Sequence, residues 1–192
     1  LEELGRSDPG LRVELREDIL WRIVESVQSG ELDLAVTSRL GPSTELQSEP
    51  LVTEPLWLVL PVGHPLADQV DVSIESLRDE SFIFLGETSS LGHQVTRFLS
   101  DVDLNPNVVL ENSQIRTVKN LVAYRVGLSF LPAIAAESQS ESNLVYRRLR
   151  GISPYRELGI VRHPQWYLGS GARRFDETGK AHAARLRNPI LK

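Results

Sequence analysis

Residues 54–67 read Glu54-Pro55-Leu56-Trp57-Leu58-Val59-Leu60-Pro61-Val62-Gly63-His64-Pro65-Leu66-Ala67, and the rest of the chain is organised around them. Leu56–Leu60 is a run of five apolar residues, the length and character of a strand buried on both faces. Pro61, which has no N–H and a fixed φ, stops it. The run stands between two clusters of alternating strand and helix signals, so it is placed to cross from one lobe to another.

Upstream, Leu11, Val13 and Leu15 alternate with Arg12, Glu14 and Arg16, which predicts a half-buried strand. Asp18 then stands as the cap of a helix carrying Ile19, Leu20, Ile23, Val24 and Val27 on one face, closed by Gly30. Leu32–Val36 predicts the next strand, followed by a polar stretch from Ser38 to Pro50. The opening Leu1-Glu2-Glu3-Leu4-Gly5 reads as the tail of a helix with a glycine stop, and so as the start of a fragment.

Downstream the pattern repeats. Ser73–Leu77 predicts a short helix, Phe82–Leu85 a buried strand, and Leu91–Val102 a helix with Leu91, Val95, Phe98, Leu99 and Val102 on one face. Val108–Leu110 predicts a strand. Ile115, Val118, Leu121 and Val122 mark a helix, and Leu128–Leu131 is a strand ended by Pro132. Leu144–Leu149 and Leu158–Val161 predict two more strands, and Gly169–Arg187 a basic helix with Ala172, Phe175 and Ala183–Leu186 inward. Strands alternating with helices define an α/β chain, with parallel pairing and helices on both faces. Two such lobes leave a cleft at the carboxyl ends of strands, where a small molecule would bind.

Composition narrows the chemistry. The chain has 192 residues, 41% of them hydrophobic, and no cysteine. A chain of this length buries roughly 70% of its unfolded surface. Without cysteine there is no disulfide, thiolate nucleophile, thiol redox switch or Cys-ligated metal. No window approaches the roughly 18 apolar residues of a spanning helix, and there is no signal segment, so a cytoplasmic protein without membrane contact is expected. The net charge of −5 is unevenly spread: residues 1–144 carry 10 basic and 23 acidic side chains, residues 145–192 carry 11 and 3. The Arg residues of the tail alternate with apolar ones, so attraction between two faces of one fold, or a basic C-terminal helix exposed to solvent, accounts for the asymmetry better than a phosphate-binding surface.

Gly86-Glu87-Thr88-Ser89-Ser90-Leu91-Gly92 joins a buried strand to a helix start. Backbone N–H groups at a helix N-terminus, with the hydroxyls of Thr88, Ser89 and Ser90 beside them, bind carboxylates and other anions. Equally, Ser89 or Ser90 can serve only as the N-cap. Thr37 and Ser38 follow a strand, either as ligand hydroxyls or as turn hydroxyls bonded to their own backbone. Asn112, within Glu111–Ser113, and Gly127 are further effector-binding candidates, although Gly127 also fits a helix-ending turn of positive φ. Trp21, Trp57 and Trp166 read as packing or interface residues. His64, His93, His163 and His182 have no metal-ligand spacing and read as solvated; no GxSxG, GxGxxG or Walker A pattern occurs. No catalytic residue, metal site or cofactor is assigned.

Four stretches, in order, carry a family resemblance. Glu14-Leu15-Arg16-Glu17 with Gly30-Glu31-Leu32-Asp33-Leu34-Ala35-Val36 is the first. Pro50-Leu51 with residues 54–67 is the second, and Ser76-Leu77-Arg78-Asp79 the third. The fourth is Leu121-Val122-Ala123 through Val126-Gly127-Leu128-Ser129-Phe130-Leu131-Pro132. Together they resemble the effector-binding domain of LysR-type transcriptional regulators, from about Leu11 to Val161 and more loosely through Gly171–Phe175. The resemblance implies a type-2 periplasmic-binding-protein-like fold of two lobes, each a mixed sheet flanked by helices. Residues 1–60 and 157–192 would form the first lobe, lacking its first strand, and 61–156 the inserted second. It further implies a small effector between the lobes, anionic by the helix-terminus argument, with allosteric control of the assembly. DNA would be bound through an N-terminal helix–turn–helix outside these residues, in a homodimer or tetramer. A solute-binding protein of a periplasmic transporter would share the fold and is the alternative.

Overall fold

The apolar run 56–60 is the second half of a strand three times its length, Gln47–Pro61, in a computed structural model that describes residues 1–38, 40, 45–86, 89–136, 143–152 and 154–186. In chain order the elements are α1 (Glu2–Ser7), α2 (Leu20–Ser29), β1 (Ala35–Ser38), β2 (Gln47–Pro61), β3 (Asp71–Val72), β4 (Ser81–Leu85) and α3 (Ser90–Asp101). There follow β5 (Asn107–Asn112), α4 (Ile115–Ala123), β6 (Ser129–Pro132), β7 (Leu144–Leu149), β8 (Tyr155–Arg162) and α5 (Ser170–Leu186). Short 3₁₀ turns occupy Pro65–Asp68, Glu75–Leu77 and Ala133–Ala136. The chain divides into two compact units, residues 1–53 with 157–192, and 54–156. Both β2 and β8 begin in one unit and end in the other.

In the first unit β8 lies between β1 and β2, antiparallel to β1 with Ala35 opposite Val161 and Ser38 opposite Leu158. Its core is small: Val27 of α2 meets Ala35, Leu46 and Val161, with Ile23, Val24 and Leu32 against them. Gly30 ends α2 at φ 78, and a Cβ there would lie 1.9 Å from the Trp166 ring, so both conformation and space require glycine. Acidic N-terminal and basic C-terminal side chains pair across this unit. Glu3 bonds Arg185, Asp8 lies 3.3 Å from Arg174, and Glu49 lies 2.6 Å from Lys180. The charge asymmetry of the sequence is thus met inside the fold.

The Lys180 hydrogen bond, working against burial, holds the Glu49 carboxyl below the usual carboxylate range. Burial pulls the Lys180 ammonium down, but its bonds to Glu49 and Asp176 outweigh that and raise it. Glu49 therefore stabilises the fold above the unfolded carboxylate pKa, and loses this as pH falls through its depressed folded value. Lys180 stabilises it below the ordinary lysine pKa, and loses this as pH rises through its raised folded value. Because both side chains are partly exposed, Lys180→Met is expected to cost only about 0.2–1 kcal/mol at neutral pH. That difference should vanish in strong acid, as read from urea unfolding across pH.

The second unit has the larger core. Its β2 segment is flanked by β6 (Leu56 opposite Pro132) and β7 (Pro61 opposite Leu144), both antiparallel, and β3 runs parallel beside β7. β4 joins β6 through the Phe82–Leu128 bridge and runs parallel to β5. α4 packs across β4, β5, β6 and β7, and α3 against β4. Phe82 stacks on Phe130 at 6.0 Å and 4°, while Phe98 of α3 meets Phe130 edge-on at 6.1 Å. Helix α3 ends with Asp103 at φ 53, where Leu104 N–H reaches the Leu99 carbonyl at 2.9 Å. An exposed acidic residue in left-handed backbone at a helix C-terminus is doubly unfavourable. Asp103→Gly is expected to stabilise by about 0.5–1 kcal/mol in urea unfolding.

Several sequence expectations change. Residues 11–19 form no strand, and Val13 and Leu15 are exposed. Alternation makes a strand only where a neighbour supplies the ladder, and none pairs with this segment among the described residues. The strand expected at Leu32–Val36 is Ala35–Ser38. Asp18 is not the cap of α2; Ile19 is, and Asp18 accepts its N–H at 2.8 Å. Helix α1 passes through Gly5 to Ser7. The helix expected at Ser73–Leu77 is a 3₁₀ turn. Pairing is mixed, as the family resemblance implies, and not the parallel pairing that alternation alone predicts: β2 and β8 run against β1, β6 and β7, while β3 with β7 and β4 with β5 are parallel.

Candidate functional site

The carboxyl end of β4 delivers the chain to the start of α3. Ser89 is the N-cap: its hydroxyl accepts the Gly92 N–H at 3.4 Å and its carbonyl accepts the His93 N–H at 3.1 Å. Gly92 allows the helix to sit directly on the strand end, because a Cβ there would lie 2.0 Å from the Leu85 carbonyl oxygen and 2.9 Å from that of Gly86. The positive end of a 12-residue helix is thereby fixed at a strand terminus. The cap reading and the anion reading of Ser89 are compatible, since capping occupies one of the first-turn N–H groups and leaves the helix dipole in place.

Asn112 is brought to the same place. Its carbonyl accepts the Gly86 N–H at 3.3 Å, and its side-chain oxygen accepts the Gln114 N–H at 2.8 Å, ahead of α4. Glu111 adds an acidic boundary, its carboxylate 3.5 Å from the position a Gly86 Cβ would take. Ser90 is the first residue of α3, and Thr88 lies outside the described residues.

Gly127 lies elsewhere. A Cβ on it would stand 2.9 Å from the Ser81 carbonyl, at the opposite end of β4, roughly 13 Å of strand away. It is not the positive-φ residue after α4; Arg125 is, at φ 62. Leu128 exchanges backbone bonds with Ser81 and Ile83, so Gly127 serves close strand approach. Thr37 and Ser38 are the last residues of β1 in the other unit, opposite Gly159 and Leu158, and Ser38 is buried.

The histidines are not uniformly solvated. His64 is largely buried; its Nδ1 accepts the Leu66 N–H at 3.2 Å and its Nε2 lies 3.4 Å from Glu80. His163 accepts the Gln165 N–H and meets Trp166 edge-on. Trp57 packs edge-on against Tyr146, whereas Trp21 and Trp166 are more than half exposed. Sequence reasoning missed the buried Lys119, which donates to the Ala135 carbonyl at 2.7 Å, and the ion pair of buried Glu54 with half-buried Arg156. Among the described residues no group of three metal-ligating side chains is present, and no helix is long and apolar enough to cross a membrane.

Mixed α/β units, joined by long strands and offering a helix N-terminus at a strand end, are the architecture of small-ligand binding modules. Residues 1–184 match the LysR substrate binding domain, and the chain belongs to that family, one of regulatory domains and not of enzymes. It is 26% identical over 184 residues to the DNA-binding transcriptional dual regulator OxyR of Escherichia coli K12, covering 95% of this chain and 59% of that protein. The effector binding domain of QuiR in complex with shikimate superposes with a TM-score of 0.86 at 18% identity, over 96% of this chain and 88% of that one. The regulatory domain of CcmR from Synechocystis PCC6803, in complex with 2-PG, gives 0.86 at 23% identity, over 95% and 88%. These structures establish the type-2 periplasmic-binding-protein-like fold. Family membership decides against the transporter reading. The chain spans about half the length of the curated relatives it matches, 46–59%.

Proposed function

We propose that this chain is the effector-sensing part of a LysR-type transcription regulator that acts in the cytoplasm. An N-terminal helix–turn–helix outside these residues contacts DNA, and the whole protein works as a homodimer or tetramer. The two compact units, residues 1–53 with 157–192 and residues 54–156, act as its two lobes. Effector binding favours one arrangement of the assembly over another, which is the allosteric signal.

The effector is a small anion. The observation that carries this is the start of α3, seated on the end of β4 by Gly92 and capped by Ser89. Ser89, Ser90 and Asn112 are the contacts assigned in this unit, with Thr37 and Ser38 as the hydroxyls assigned in the other. Small ligands in the QuiR and CcmR structures support a small-molecule reading. Sensing peroxide through a thiol is closed to residues 1–192, which contain no cysteine.

A panel of small carboxylates and phosphorylated acids, set against neutral sugars, tests this by thermal shift and calorimetry. A cognate anion at 100 times its Kd should stabilise the fold by about 2.7 kcal/mol. Tight binding of neutral sugars with none of any anion would overturn the anionic assignment.

A further inference from the structure

Three strands of the second unit end at one edge. β4 and β5 are parallel, with Leu85 opposite Asn112. β6 enters beside β4 in the same direction, through the Phe82–Leu128 bridge, where the Ile83 N–H reaches the Leu128 carbonyl at 2.7 Å. Roughly 13 Å of strand carries β4 from Phe82 to Gly86, and the same length carries β6 from Leu128 to Pro132. The turn Ala133–Ala136 therefore follows β6 at the edge where α3 begins after β4 and Asn112 ends β5. Carboxyl ends of parallel strands are where α/β units bind small ligands.

Two buried charges hold that turn. Among the described residues the buried charged side chains are Glu54, Lys119 and Asp176, and two of these three bond its backbone. Glu54 accepts the Ile134 N–H at 2.8 Å, and its other oxygen takes Arg156 Nε at 2.8 Å. Lys119 donates to the Ala135 carbonyl at 2.7 Å, and the Tyr146 hydroxyl donates to the same oxygen at 3.3 Å. Burying charges adds little stability over apolar packing, because each ion gives up its hydration. What these bonds supply is a fixed backbone. The side chain so fixed is Ile134, which is 56% exposed. A lone exposed isoleucine is ordinary on a loop. On a turn immobilised by two buried charges, at a ligand-binding edge, it is a positioned apolar contact.

We propose that Ile134 is a specificity-determining contact, and that the effector is a carboxylate with an apolar body of several carbons, not a compact polar anion such as sulfate. The start of α3 takes the carboxylate and Ile134 packs against the carbon skeleton. Glu54 and Lys119 are positioning residues for that turn. This rests on the reading of the α3 start as the anion site, to which it adds the class of anion.

Straight-chain carboxylates of increasing length, titrated into the intact protein and followed by NMR, test this. Hexanoate should bind at least about 30-fold more tightly than acetate, each buried CH₂ contributing up to about fourfold. Ile134→Ala should cut that ratio at least about fivefold. Urea unfolding of the variant should match the parent, because the side chain is more than half exposed. Hexanoate should shift both the Gly92 amide and the Ile134 methyl signals, and sulfate the Gly92 amide alone. Equal affinity for acetate and hexanoate, or a ratio that Ile134→Ala leaves intact, overturns the role of Ile134 while the anion site stands. If no anion moves the Gly92 amide, the anion site itself fails, and this assignment with it.

Discussion

Gly92→Ala is expected to destabilise the second unit by about 3 kcal/mol or more, although it adds one methyl group to a helix. Elsewhere in a helix the change would be favourable by up to about 1 kcal/mol. Here the new Cβ falls 2.0 Å from the Leu85 carbonyl oxygen and 2.9 Å from that of Gly86. Both obstacles are backbone, one of them the last residue of a buried strand, so no rotamer change relieves the contact. Helix α3 would have to lift off β4, and Leu91, Val95 and Leu99, all buried, would lose packing with it. The same displacement moves the helix N-terminus that the proposed anion site uses, so binding should fall along with stability. Gly5→Ala is the control: it is helical and nothing lies within 4 Å of its Cβ. Urea unfolding of both variants should show a large loss for the first and none for the second. Equal stability of Gly92→Ala and the parent would mean that α3 is not seated as described.

What the sequence revealed and what it concealed divide along one physical line. Local signals worked. Leu56–Leu60 and Phe82–Leu85 are strands because an apolar run bounded by breakers has few other uses, and the stripes of α3 and α4 bury Val95, Leu99, Val118 and Val122 as their spacing requires. Gly30 ends α2 in the left-handed conformation expected of it. Non-local facts were invisible. Leu11–Leu15 has the alternation of a strand, and among the described residues no strand pairs with it. In sequence Gly127 fits a turn or an effector contact, yet its role is set by Ser81, 46 positions earlier. Nothing in Glu54 or Arg156 alone announces an ion pair across 102 positions. The Ser89 region was legible because a helix N-terminus is local; its pairing with Asn112 depends on β5 lying beside β4, which no spacing conveys.

Phe130→Ala is expected to cost the second unit about 3–5 kcal/mol. Its ring is 2% exposed and stacked flat on Phe82, with Phe98 edge-on, so truncation removes the centre of the aromatic cluster and leaves a void that strands β2 and β4 cannot close. The consequence reaches past one side chain because the two units have very different cores. Among the described residues, twenty-three buried ones form one continuous cluster in the second unit, against four in the cluster around Val27. In the parent protein, hydrogen exchange should therefore show the first unit opening at lower free energy than the second. A loss of this size in the second unit would erase that order or reverse it, with amides of β4 and β6 exchanging as fast as those of β1 and β8. If instead both sets lost protection equally, the two units would unfold as one cooperative body, and the crossing strands would transmit stability as well as connect the chain.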